Sequence, residues 1–298
     1  MAELVGSLAM SHAPQLMLTP DQWGLLNTRS WDSLPLKPQL ESETLEVKWA
    51  KWRRCMAAID QLREKLDALA PDTVVIVGDD QHENLLDDNM PAFAFFIGEE
   101  VEASVSLRYL NQPKSENRTR YRVDSTLANW ILSELMEAGF DPAYSKKTRF
   151  EGGLGHAFAR PLRFLMPDPR YAIVPVMVNT YYPPAPSPKR CVQFGRALAA
   201  AILQFAERRR VVVVGSGGLS HTKIDEDFDQ SFIRALEKND TEFLQAMNPS
   251  VLVEGTSEIR NWIITAAAAD RPATIVAYAP LYRTATGVGC AMGFAYWT

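Results

Sequence analysis

Two short stretches constrain this chain more than anything else in it. Residues 73–78 (TVVIVG) and 211–215 (VVVVG) are unbroken β-branched runs with no alternation of polar and apolar positions. A strand with one wet face alternates. A strand without alternation is covered on both faces, as in the middle of a parallel sheet flanked by helices. Both runs lead into polar chemistry: Asp79-Asp80-Gln81-His82-Glu83 after the first, Ser216-Gly217-Gly218-Leu219-Ser220-His221 after the second.

The rest of the pattern agrees. Residues 3–10 read as a short buried strand ending at Ser11-His12. Over residues 43–70, Trp49, Trp52, Met56, Ile59, Leu62, Leu66 and Leu69 recur at steps of three and four, and Pro71 stops that helix. Further strands are expected at 92–97, 172–178, 273–279 and 289–296, and helices at 124–139, 228–238, 240–247 and 257–269. Pro175 points to a sheet edge or a bulge for the strand that contains it. Residues 112–122 are polar and read as a loop, and 151–156 (EGGLGH) as a glycine-rich turn. The stretch 181–188 (YYPPAPSP) is stiff and extended, with Ser187 and Pro188 suited to cap and open a helix to about residue 207. Residues 18–42, with three prolines, Trp23 and Trp31, read as an ordered irregular excursion suited to a lid or a dimer contact. Strands alternate with helices, without repeats or a dividing linker. The expected fold is a single α/β domain over residues 1–298, its central sheet mostly parallel or mixed and flanked by helices.

Composition narrows the function. Lys plus Arg number 31 against 36 Asp plus Glu, a net charge of −5, which argues against a nucleic-acid binder held by phosphate contacts. The basic clusters Arg118/Arg120/Arg122 and Arg208/Arg209/Arg210 read as solvated surface. Cys55, Cys191 and Cys290 are scattered, which suits a reducing compartment. The N-terminal residues lack the basic start and long apolar run of a signal peptide, and no stretch nears the ~18 apolar residues of a membrane span. The expectation is a cytoplasmic enzyme with no nucleic-acid or membrane partner.

The chain has four histidines, His12, His82, His156 and His221. Three follow an expected strand within a few residues, at the strand ends where open α/β sheets bind ligands. Two histidines and one carboxylate with open positions make the facial triad of non-haem Fe(II) oxygenases, which would leave two histidines for proton transfer. Spacing does not single out the carboxylate among Asp79, Asp80, Glu83, Glu151 and Glu258.

Six segments, taken in order, resemble one family. They are Ser11-His12-Ala13-Pro14, Gly78-Asp79-Asp80-Gln81-His82, Gly155-His156 with Arg160-Pro161-Leu162, Tyr182-Pro183-Pro184 with Lys189-Arg190-Cys191, Gly217-Gly218-Leu219-Ser220-His221 and Glu258-Ile259-Arg260-Asn261-Trp262. Together they resemble the class III extradiol ring-cleaving dioxygenases, the superfamily of the protocatechuate 4,5-dioxygenase β subunit. Within it the gallate and 3-O-methylgallate branch looks closest. The resemblance implies Fe(II) bound by His12, His82 and Glu258, with His221 as acid/base and His156 against substrate or oxygen. It implies a catechol-type substrate, such as protocatechuate, gallate or methylgallate, opened by O2. Read on its own, Glu258 also suits a helix-entry acid beside Ser257. The family's common Asp-His-Gly is here Gly155-His156-Ala157, so another acceptor must fix the His156 tautomer. Arg283 is the candidate partner for a substrate carboxylate, and Thr180 and Tyr182 are candidates for the pocket wall. The resemblance also implies a homodimer or a small helical partner subunit. A Zn-dependent or non-catalytic member of the same scaffold, or a catalytic subunit acting on 2-aminophenols, is the alternative.

Overall fold

The computed structural model describes residues 1–27, 34–107 and 110–298. Trp31 lies outside the described residues. Its neighbour in the excursion, Trp23, is buried and donates its indole N–H to the Gln15 carbonyl at 3.1 Å.

The two β-branched runs become β2 (Thr73–Asp79) and β8 (Arg210–Ser216), side by side and parallel in the middle of one mixed sheet. The other strands are β1 (Glu3–Met10), β3 (Phe93–Phe96), β6 (Ala143–Ser145), β7 (Ala172–Val178), β9 (His221–Lys223), β10 (Thr274–Tyr282) and β11 (Val288–Trp297). Among the described residues the order is β10-β11-β1-β8-β2-β7-β3-β6, with β9 paired to β11. Strands β1, β8, β2 and β7 run parallel, while β11 joins β1 and β3 joins β7 antiparallel. Helices α1 (Leu45–Leu69) and α3 (His156–Leu165) pack in the core on one face. Helices α2 (Ser125–Glu137), α4 (Pro188–Gln204), α5 (Glu226–Glu237), α6 (Thr241–Ala246) and α7 (Ile259–Ala269) pack on the other. Full burial of β2 and near-full burial of β8 are the physical reason neither run alternates. No helix among the described residues is long and apolar enough to cross a membrane.

Two expectations need correction, and one helix lies where none was expected. The polar stretch before residue 123 contains a strand, β5 (Arg118–Arg122), which pairs with β4 (Glu100–Ser104) in a separate hairpin. Arg118 and Arg120 reach outward to Glu100 and Glu102 while Tyr121 is buried, and the charges mask that alternation. Strand β7 is interior, not an edge. The β3 ladder stops at the Phe95 and Val176 pair, one residue short of Pro175, so the missing N–H is tolerated inside the sheet. Helix α3, finally, grows out of the glycine-rich turn in spite of Pro161. Proline at that position leaves the Ala157 carbonyl without its helical donor, and the Ser216 hydroxyl takes the place.

Helices α4 and α7 approach closely at Gly195, where a Cβ would stand 2.2 Å from the Ile264 carbonyl oxygen and 2.9 Å from Ala267 Cβ. Overpacking costs about 1–3 kcal/mol, against about 1 kcal/mol gained by replacing glycine in a helix. The clash is with backbone, which puts the cost in the upper part of that range, so Gly195→Ala is expected to lower stability by about 1–2 kcal/mol net. Urea denaturation checks this; an unchanged or higher midpoint contradicts the packing argument.

Candidate metal centre

The parallel strands deliver their C-terminal ends to one crevice. His12 follows β1, Asp79 ends β2 and Ser216 ends β8. Glu258 enters from the turn that opens α7. The ligating atoms of His12, Asp79 and Glu258 lie within 4.8 Å of one another, and all three residues are buried.

Each donor is held by named partners. The Ser216 hydroxyl spends its proton on the Ala157 carbonyl and therefore accepts from His12 Nδ1, 2.8 Å away. That fixes the proton on Nδ1 and leaves the Nε2 lone pair facing the carboxylates, 3.5 Å from Glu258 Oε2. Glu258 Oε2 also accepts the Gly218 N–H at 2.8 Å. Gln81 Nε2 donates to Asp79 Oδ2 at 2.9 Å and to Glu258 Oε1 at 3.1 Å. Asn261 Nδ2 holds the Ser216 carbonyl at 2.8 Å and reaches Asp79 Oδ1 at 3.4 Å, and the Trp262 indole holds the Gly217 carbonyl. Arg260 donates to the carbonyls of Pro186, Thr180, Leu252 and Ser257, tying the turn before α7 to the proline segment.

The electrostatics suit a cation. Burial holds the His12 imidazole down at about 3, so its ring is neutral at ordinary pH. Burial, with Glu258 beside it, pushes Asp79 well above the usual carboxylate range. Burial pushes Glu258 the same way, but His221, His12 and the Gly218 N–H overturn that and hold it low. One imidazole lone pair and two buried carboxylates make a donor set that fits a divalent metal ion.

The sequence reading placed His82 in this set; the structure brings Asp79 there instead. Asp80 turns the chain by accepting the backbone N–H groups of Glu83, Asn84 and Leu85. His82 sits in that turn at φ 58°. Its ring stacks on Tyr182 at 3.7 Å, and its Nε2 lies 3.0 Å from Asp87 Oδ1, off the line of a hydrogen bond.

The other two histidines face the same cavity, which has a volume of about 640 Å³. His221 Nδ1 donates to the Leu219 carbonyl at 3.0 Å, and Nε2 lies 3.3 Å from Glu258 Oε1. Burial lowers its pKa, yet the Cys290 thiol and Glu258 carry it well above the ordinary value. His156 stands edge-on to His12, with ring centroids 4.9 Å apart. Burial lowers its pKa too, but Glu83 outweighs that and the net shift is upward. Arg283 and Tyr182 line the cavity, and Arg283 Nη1 also donates to the Leu26 carbonyl. Thr180 does not line it; it is buried behind the wall, where its carbonyl accepts from Arg260. Gln81, Ser216 and Arg260 were not among the expected site residues, although Gln81 and Arg260 belong to segments that carried the resemblance and Ser216 directly precedes one.

Residues 37–293 match the family profile described as the catalytic LigB subunit of aromatic ring-opening dioxygenase. Among curated proteins the chain is similar to a 2,3-dihydroxyphenylpropionate/2,3-dihydroxicinnamic acid 1,2-dioxygenase of Photorhabdus laumondii. The two are 30% identical over 166 residues, 54% of this chain and 46% of that protein. A second protein of that description, from Pseudomonas putida, is 32% identical over 162 residues, 53% of this chain and 46% of its own length. The aligned region thus spans about half the length of these relatives. The crystal structure of an uncharacterized Escherichia coli K12 protein matches with a TM-score of 0.55 at 14% identity, over 98% of this chain and 99% of that one, a likeness of fold.

Proposed function

The chain belongs to the family of catalytic LigB subunits of aromatic ring-opening dioxygenases, and on that premise we propose that it is an extradiol dioxygenase opening the ring of a catechol-type substrate with O2 at Fe(II). The observation that carries this reading is the buried donor set of His12, Asp79 and Glu258, with the His12 tautomer already fixed for ligation. Fe(II) bound there supplies a template for two vicinal oxygens and O2, and a conduit for electrons between them.

The side chains supply the rest. His221 exchanges a proton with a substrate hydroxyl through Nε2, since Nδ1 is engaged by Leu219. His156 presents its Nε2 to the reacting oxygens, since Nδ1 is engaged by Glu83. The stacked rings of His82 and Tyr182 give the cavity a flat wall against which an aromatic ring can lie. Arg283 anchors a substrate carboxylate, and the relatives named above act on catechols that carry one.

The test is anaerobic loading with Fe(II), then oxygen uptake on catechol, 2,3-dihydroxyphenylpropionate, protocatechuate, gallate, 3-O-methylgallate and 2-aminophenol. Uptake with a yellow ring-opened product, abolished by His12→Ala, is the expected result. Stoichiometric iron with no uptake on any of them overturns the reading. Arg283→Gln is expected to raise KM for the carboxylated substrate by about 10–100-fold, the cost of one charge-assisted hydrogen bond, and to leave KM for plain catechol within about threefold. Equal effects on both substrates would remove Arg283 from carboxylate recognition.

A further inference from the structure

The glycine at position 155 leaves His156 without a neighbouring acid in its own segment, yet its ring is held. Glu83 Oε1 accepts from His156 twice, from the backbone N–H at 3.0 Å and from Nδ1 at 3.0 Å. The carboxylate comes from the loop after β2, the strand that ends at Asp79. Asp80 shapes that loop by gathering the N–H groups of residues 83–85. Asn84 then fastens it to the segment before α3, donating to the Gly153 carbonyl and accepting from the Arg149 and Phe150 N–H groups. Room for Glu83 exists only because residue 155 is glycine: a Cβ there would stand 1.8 Å from Glu83 Oε2.

Resting on the proposed ring-opening reading, we infer that Glu83 is the positioning residue of His156, holding the proton on Nδ1 and aiming Nε2 into the cavity. The end of β2 and the loop after it therefore serve the site together, with Asp79 in the donor set and Glu83 setting the orientation of the neighbouring histidine. One paired contact fixes both the ring's place and its tautomer. A carboxylate that accepts from backbone and ring together cannot release one without loosening the other. Glu83 touches no substrate in this scheme; it acts through His156.

Nitrogen-15 spectra of the metal-free full-length protein, labelled at histidine and assigned with His156→Gln, test this without any activity. The expected result is a proton on His156 Nδ1 in the wild type. Glu83→Gln keeps a carbonyl acceptor and is expected to retain it, with kcat within about fivefold of wild type. Glu83→Met keeps the length but not the acceptor. It is expected to lose the Nδ1 signature and to drop kcat by about 10–100-fold with little change in KM, the usual cost of an outer partner. Added to His156→Gln, Glu83→Met should cost nothing further. A wild-type His156 protonated only on Nε2 overturns the inference, even if Glu83→Met fails to fold. So does a Glu83→Met protein with unchanged spectrum and kcat. Absence of ring cleavage by any variant would sink the proposed function and leave the spectra to decide on Glu83.

Discussion

Glu258→Gln is expected to weaken divalent-metal binding by far more than a hundredfold and to abolish ring opening. The substitution conserves size and removes one of two carboxylates from a fully buried donor set. Losing an outer partner of a metal ligand already costs about 10–100-fold in affinity, so losing a ligand must exceed that. Glu258 also joins more of the site than any other residue: it lies 3.5 Å from His12 Nε2 and 3.3 Å from His221 Nε2, and it accepts from Gln81 and the Gly218 N–H. Calorimetric titration with Mn(II) or Co(II) on the folded variant reads the loss directly. Two companions decide the third ligand. Asp79→Asn is expected to lose affinity on the same scale, and His82→Gln to stay within a few-fold. The opposite ranking would restore His82 to the set, and a Glu258→Gln protein that binds metal like wild type would remove this centre altogether.

That contest marks the limit of what the residues disclosed on their own. The central strands were legible because β2 and β8 each carry four consecutive valines or isoleucines, a run that suits a strand covered on both faces. His12 and His221 were legible because each follows such a strand or its neighbour, and the sheet's parallel order brings those ends together. Glu258 came from the family resemblance, since nothing in its spacing separates it from a helix-entry acid. Asp79 stood among five candidate carboxylates, and only the fold sets it against Glu258. His82 stands apart from the donor set for a local reason: Asp80 draws three backbone N–H groups toward its carboxylate, and in the turn this makes His82 takes a φ of 58° and stacks on Tyr182. Such a turn depends on side-chain hydrogen bonds that hydrophobic periodicity does not record. The same holds for Ser216 and Pro161. A proline in a helix reads as an interruption, whereas here it frees the Ala157 carbonyl that lets Ser216 orient His12.

The acid/base role proposed for His221 can be tested without touching His221 or any metal donor. Gly255 packs against the imidazole so closely that a Cβ would stand 1.8 Å from Cδ2 and 2.1 Å from Nε2. Either the turn or the ring must move in Gly255→Ala. The turn is restrained from both sides, because Arg260 grips the carbonyls of Leu252 and Ser257, and Thr256 exchanges hydrogen bonds with the His221 backbone N–H and carbonyl. The ring has the cavity beside it, and it would give up the Leu219 carbonyl, the Cys290 thiol and Glu258. The imidazole is therefore expected to swing away, taking Nε2 off the substrate hydroxyl. A positioned acid/base contributes about 10²–10⁴-fold to rate, so kcat should fall by that order while metal affinity stays within about threefold of wild type. Steady-state kinetics and a metal titration on the same preparation separate the two responses. A kcat within threefold of wild type would mean that His221 carries no proton in the rate-limiting step. A parallel loss of metal affinity would mean that the turn gave way and carried Glu258 with it.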